Sequence, residues 1–218
     1  MLKKKKAAGR RSVTAESNAR ERILKAAREV FSLWSFKDAS TRTVARKAGV
    51  EHPLIHYYFG SKENLFKEVA ESLHEEASQK EESWLDGMER VSPGEGFPIF
   101  MDRMLDYTMA NPDVLQFSAL NMMHIGSIDE IPGFRFIPLN MARMRRILED
   151  KLPLKGTARE IEMFIYCFYS LMISLVGSRT CHAQLLNMDP LGDEYRQWVK
   201  DACITLFLPW FERLLGKA

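Results

Sequence analysis

Apolar positions along this chain recur at spacings of three and four almost throughout, and no stretch alternates with the period of two that marks a half-buried strand. Ile23, Leu24, Ala27, Val30, Phe31 and Trp34 form one such stripe, beginning near Asn18. Val44, Ala45 and Ala48 form a second after Ser40 and Thr41, which suit a helix N-terminus. Gly49 is placed to end that helix in a left-handed conformation, and Pro53 suits the first turn of the next. There Ile55, Tyr58 and Phe59 give a short inward face. After Gly60-Ser61 a long stripe runs through Leu65, Phe66, Val69, Ala70 and Leu73 toward Trp84. Loops are expected at Pro93-Gly94-Glu95-Gly96, Ile131-Pro132-Gly133, Leu152 to Gly156 and Asp189-Pro190-Leu191-Gly192. Helices then fall near 97–110, 112–127, 135–151, 157–187 and 193–214, with Pro209 expected to kink or end the last. The pattern predicts an all-α fold of two units sharing a long helix: a basic flexible arm at 1–17, a small helical unit at 18–64 and a larger one at 65–218.

Charge divides the chain the same way. Residues 1–60 hold fourteen Lys and Arg against five Asp and Glu, a balance of +9; the remainder carries −7, so the net +2 hides a basic head on an acidic body. Two short helices across a tight turn, in a basic segment, are how a helix-turn-helix presents side chains to a DNA major groove.

The segment ILKAAREVFSLWSFKDASTRTVARKAGVEHPLIHYYFGSKENLF resembles the N-terminal DNA-binding region of the TetR family of transcriptional regulators. The residues that carry the likeness are Ala26-Ala27, Phe31, Phe36, Thr41-Arg42, Val44-Ala45, Ala48-Gly49-Val50, Tyr58-Phe59 and Ser61-Lys62-Glu63. The resemblance covers about Arg22 to Val69; beyond residue 97 only length and helical character agree. Two positions depart from the family pattern. Ser35 stands where Gly usually precedes the aromatic that ends the first helix, and Ile55-His56 stands where Leu-Tyr is frequent. A backbone needing positive φ would be strained at Ser35.

The outward residues of the third helix are His52, Pro53, Leu54, His56 and Tyr57. Histidine can read base edges or phosphates, Pro53 and Leu54 can meet thymine methyls, and Tyr57 can stack on sugar. The resemblance implies a guanine contact for Arg42 and phosphate contacts for Thr41, Tyr58 and Lys62. It also implies a homodimer on a palindromic operator and a small-molecule effector that releases the DNA, most simply as a repressor. The helices near 157–187 and 193–214 are the expected dimer surface: the first is apolar nearly all round from Ile161 to Val176, Gly177 permits close approach, and the second offers Trp198, Ala202, Leu206 and Trp210. For an apolar or amphipathic organic effector, Met104, Tyr107, Phe117, Met123, Met144, Phe164, Phe168 and Met172 are the candidate wall. A structural DNA-binding protein of nucleoid type, or a partner-docking protein on the same scaffold without an effector, is the alternative.

Other chemistries find little support. His124 and His182 are isolated from any HExxH or paired-Cys spacing, so no metal or other cofactor is expected, and no nucleophile or phosphate-loop motif points to an enzyme. Cys167, Cys181 and Cys203 lack a disulfide or metal spacing and read as buried thiols of a reducing compartment. The uncharged run Met163 to Ser178 is too short to span a bilayer, and no secretory signal is visible, so the expectation is a cytoplasmic protein without membrane contact.

Overall fold

The structure is a computed structural model; it describes residues 6–122 and 136–216, with side chains from 18 to 122 and from 138 to 216. Its regular elements are all helical: α1 (Lys6–Phe31), α2 (Thr41–Ala48), α3 (Pro53–Phe59), α4 (Lys62–Trp84), α5 (Pro93–Ala110), α6 (Asp113–Met122), α7 (Phe136–Lys151), α8 (Ala158–Met172), α9 (Arg179–Leu185) and α10 (Asp193–Leu214).

Local chemistry sets the boundaries in the head. Ser40 accepts a hydrogen bond from the Thr43 amide and opens α2; Ser61 does the same for the Asn64 amide and opens α4. Gly49 ends α2 at φ +63, a left-handed conformation that leaves its N–H on the carbonyls of Ala45 and Arg46. The first helix begins at Lys6, well ahead of Asn18, so the stretch expected as a flexible arm is helical from Lys6 onward. Helix α5 also starts earlier than expected. Ser92 and Glu95 form a capping box, which turns a Pro-Gly-rich stretch that reads as a loop into a first helical turn.

The body departs from the sequence reading at three further points. The stretch 157–187 is not one helix: α8 passes into a wide π-type turn at Ile173–Gly177, and α9 restarts at Arg179. That turn lies against α6, and a Cβ on Gly177 would stand 2.6 Å from the Leu115 carbonyl oxygen. The close approach that Gly177 permits is therefore within the chain. Pro209 lies inside α10, which continues to Leu214. Of the three cysteines only Cys203 is buried; Cys167 and Cys181 are exposed on the outer sides of α8 and α9.

Two hydrophobic cores result. The head core packs Ile23, Ala26, Ala27, Val30 and Phe31 of α1 against Val44, Ala45 and Ala48 of α2, Ile55 and Phe59 of α3, and Leu65, Phe66 and Val69 of α4. The body core gathers the aromatic and Met side chains of α5, α8 and α10 with Trp84 and Leu85. Helix α4 belongs to both, giving its first half to the head and its second half, from Ala77 to Trp84, to the body. Helix α6 ties them together. Phe117 stacks on Phe66 with ring centroids 4.7 Å apart, and the fully buried Asn121 accepts the Phe36 amide at 2.9 Å. On the other side Arg28 donates to both carboxylate oxygens of Glu76 at 2.7 and 2.8 Å and also pairs with Asp113.

Candidate DNA-reading face and effector cavity

Helix α3 stands on a solid base. Ile55 and Val44 have no exposed surface, and Phe59 and Ala45 are nearly as enclosed, so the side chains between them must point outward. Tyr57 is 72% exposed, and Pro53, His56 and Arg42 are also exposed. Leu54, Tyr58, His52, Thr41 and Lys62 are half-buried. The nine residues expected at a DNA contact thus surround one end of the head, but not as equals.

His52 is held against α2, its Nε2 2.9 Å from Thr41 Oγ1, so part of its hydrogen-bonding capacity joins the two helix starts. His56 is held differently. Its Nδ1 lies 3.0 Å from the Gly60 carbonyl oxygen, which can only accept, so Nδ1 carries the proton and Nε2 of the neutral ring is an outward acceptor. Lys62 extends over the Phe36 ring at 4.7 Å and reaches the Lys37 carbonyl oxygen at 3.5 Å. That burial draws its pKa below the usual lysine value, against the opposing pull of Glu63 and Asp38. Ser35 takes no strained backbone: among the described residues only Asn187 has positive φ without being glycine. Its hydroxyl instead donates to Asp38 at 2.5 Å and shapes the turn. Arg46, one turn beyond Arg42 on α2 and equally exposed, adds a cation that the helical period alone assigns to the same face.

The second site lies in the body, enclosed by α4, α5, α6, α7, α8 and α10. It is a cavity of ≈ 940 Å³ of non-atom space, part of it open to solvent, whose wall is overwhelmingly apolar. Of the candidate effector-contact residues, Met104, Tyr107, Met144, Phe164, Phe168 and Met172 line it. Phe117 does not: it belongs to the head core, because α6 turns that side toward Phe66. Met123 lies outside the described residues. The rest of the aromatic wall comes from Trp84, Phe97, Phe100 and Phe211: Phe100 meets Trp84 and Phe97, Phe97 meets Phe211, and Phe97 and Phe100 both meet Phe168.

The residue the sequence reading misses is Glu81. It is only 5% exposed and lines the cavity from α4. Burial raises its carboxyl to a pKa of about 7, against the opposing pull of Arg143. A signal was present: Ala77, Glu81 and Trp84 continue the inward stripe of α4 at helical spacing, which puts a carboxylate on a core face. Tyr169, also on the wall, is pushed up to about 12, chiefly by burial, against the opposing pull of Ser118 and Asn140.

Much apolar surface stays outside. Met163 and Tyr166 of α8 and Leu206 of α10 are exposed, the last by 60%. Trp198, Ala202 and Trp210 on α10 are half-buried. Val176, by contrast, is 1% exposed and belongs to the body core. The segment Ala158–Gly177 is long and apolar enough by composition to match a bilayer, and 44% of its apolar 18-residue window is buried in the chain.

Comparison with known proteins agrees with this geometry. Residues 23–69 match the family model described as bacterial regulatory proteins, tetR family. An uncharacterized HTH-type transcriptional regulator, YdgC of Bacillus subtilis, is 39% identical over 67 residues, 31% of this chain and 34% of that protein. The HTH-type transcriptional repressor NicS of Pseudomonas putida is 30% identical over 107 residues, 49% of this chain and 50% of that protein. The chain thus spans between a third and half of the length of these curated relatives. The fold extends further: a tetR-family transcriptional regulator from Streptomyces coelicolor superposes with a TM-score of 0.61 at 17% identity, covering 92% of this chain and 86% of that one. Residues 23–69 are thus similar to the DNA-binding region of the tetR family of bacterial regulatory proteins, and the helical body shares its fold with the solved regulator.

Proposed function

We propose that this protein is a cytoplasmic repressor that binds a palindromic operator as a homodimer and releases it when a small apolar or amphipathic molecule enters the body cavity. One observation carries the reading: α4 lines the cavity with Glu81 and Trp84 and contributes Leu65 and Phe66 to the head core. A helix of that length spans about 34 Å at 1.5 Å per residue, so a ligand that shifts its cavity end shifts the head. The linkage requires only that the ligand favour a head spacing that the two half-sites do not.

In this reading Arg42, Pro53, Leu54, His56 and Tyr57 face the groove, while Thr41, Tyr58 and Lys62 hold the backbone. The outward Nε2 of His56 accepts from the exocyclic amine of adenine or cytosine. Two copies pair through the uncovered side of α8 and α10, where Met163, Tyr166 and Leu206 present apolar surface beyond what one chain uses. The cavity favours effector sensing over docking of a protein partner, which would suit a solid body.

Selection of bound duplexes from random oligonucleotides tests the DNA half, and a failure to enrich any inverted repeat would reject it. Leu206→Glu tests the pairing: sedimentation should show monomers, and an unchanged dimer would place the interface elsewhere. Because Val176 is internal, a charge there would damage the core and say nothing about pairing.

A further inference from the structure

The body cavity is lined mostly by apolar side chains, and two of its polar lining residues are incompletely satisfied. Glu81 Oε2 and Asn140 Oδ1 are both buried without a hydrogen-bond partner, and both residues line the cavity. Both atoms are acceptors when the carboxyl is ionised. Arg143 donates to the Ser78 carbonyl, and its Nε forms an ion pair with Glu81 Oε2 at 3.8 Å, outside hydrogen-bond reach. Arg143 also lines a separate groove with His74 and Ser78. An unpaired buried acceptor is a standing penalty of about 1–3 kcal/mol, larger for a charged group. It persists where something else supplies the donor.

We infer that the effector is an amphipathic amine: an aromatic or aliphatic body among the rings of Trp84, Phe100 and Phe168, ending in a protonated nitrogen that donates to Glu81 Oε2 and Asn140 Oδ1. This rests on the cavity being the effector site. The chemistry selects the head group. A neutral hydroxyl offers one donor and adds no positive charge to a carboxyl whose cationic neighbour Arg143 stands 3.8 Å away, outside hydrogen-bond reach. A carboxylate head meets a second carboxylate. An amine can take the proton that a neutral Glu81 carboxyl holds; the N–H bond forms as the O–H bond breaks, and the result is a charge-assisted pair, shorter and stronger than a neutral hydrogen bond. The electron-rich ring faces around it attract the same cation.

The test uses three probes on one skeleton, 4-(1-naphthyl)butylamine, the matching alcohol and the matching carboxylate, titrated calorimetrically into the full-length protein and its Glu81→Gln variant at pH 7.5. The amine should bind at least tenfold tighter than the alcohol, with the carboxylate weakest. In Glu81→Gln, checked for intact helicity by circular dichroism, the gap between amine and alcohol should collapse while the alcohol keeps its affinity. Equal binding of all three probes, or an amine preference that survives the substitution, overturns the inference and leaves the cavity as an effector site. Binding by none of the probes rejects the effector site and the inference with it.

Discussion

The head and the body solve the packing problem in opposite ways. In the head, Ala26, Ala27, Ala45 and Ala48 let α1 and α2 lie close, and three phenylalanine rings fill what remains, Phe31 and Phe36 each edge-on to Phe66 at 4.9 Å. Its DNA-facing polar side chains lie outside that core. The body is built from large, pliable side chains that meet around an unfilled space, and it buries a carboxyl that has no hydrogen-bond partner for one oxygen. A small-residue core fixes one shape, which suits a surface that must match a duplex in register. A core of Met and aromatic rings tolerates several shapes, which suits the effector cavity proposed above. On the proposed function, rigidity and responsiveness are divided between two cores sharing one helix.

The contrast can be broken most strongly at Phe66. Truncation to Ala should remove about 3–5 kcal/mol of head stability and abolish DNA retention, while leaving the affinity of a cavity ligand near wild type. Denaturant unfolding followed by a head-located and a body-located probe would check it, and a coincident loss of both would mean that the cores are one cooperative unit.

Glu81→Gln addresses the body next. The folded-state pKa of Glu81 is raised to about 7 from an ordinary 4.5, so the folded state holds this proton more tightly than the unfolded chain. Its contribution is fully present below about pH 4.5 and is lost as the pH rises to about 7. The loss amounts to about 3 kcal/mol for such a shift. The variant should therefore be more stable than wild type at pH 8 and no more stable at pH 4.5, read as thermal midpoints. A parallel pH dependence in both proteins would show that Arg143 fully compensates the charge.

On the head, His56→Ala should relax sequence discrimination by about 1–3 kcal/mol at one base pair per half-site, whereas Lys62→Ala should weaken all duplexes alike and reduce the salt slope. Equal effects on matched and mismatched duplexes would remove the distinction between the two roles. The smallest effect is expected at Gly49: Ala at φ +63 should reduce stability by about 1 kcal/mol, and a neutral result in thermal unfolding would mean that the turn relaxes.

Much of this protein was legible along the chain. Turn chemistry and helical period placed α2, α3 and the start of α4, because Ser40, Gly49, Pro53 and Ser61 act on their own neighbours and need no tertiary partner. The charge division and the outward identity of His56 and Tyr57 followed from the same period. The tertiary structure decided whatever depended on which side an element was covered from. It sent Phe117 to the head while its helix also serves the body, and set Gly177 against Leu115 inside the chain. It buried Val176 and left Leu206 bare on neighbouring apolar helices, and made Glu81 a cavity wall. Helical periodicity tells which residues share a face; only packing tells what that face meets.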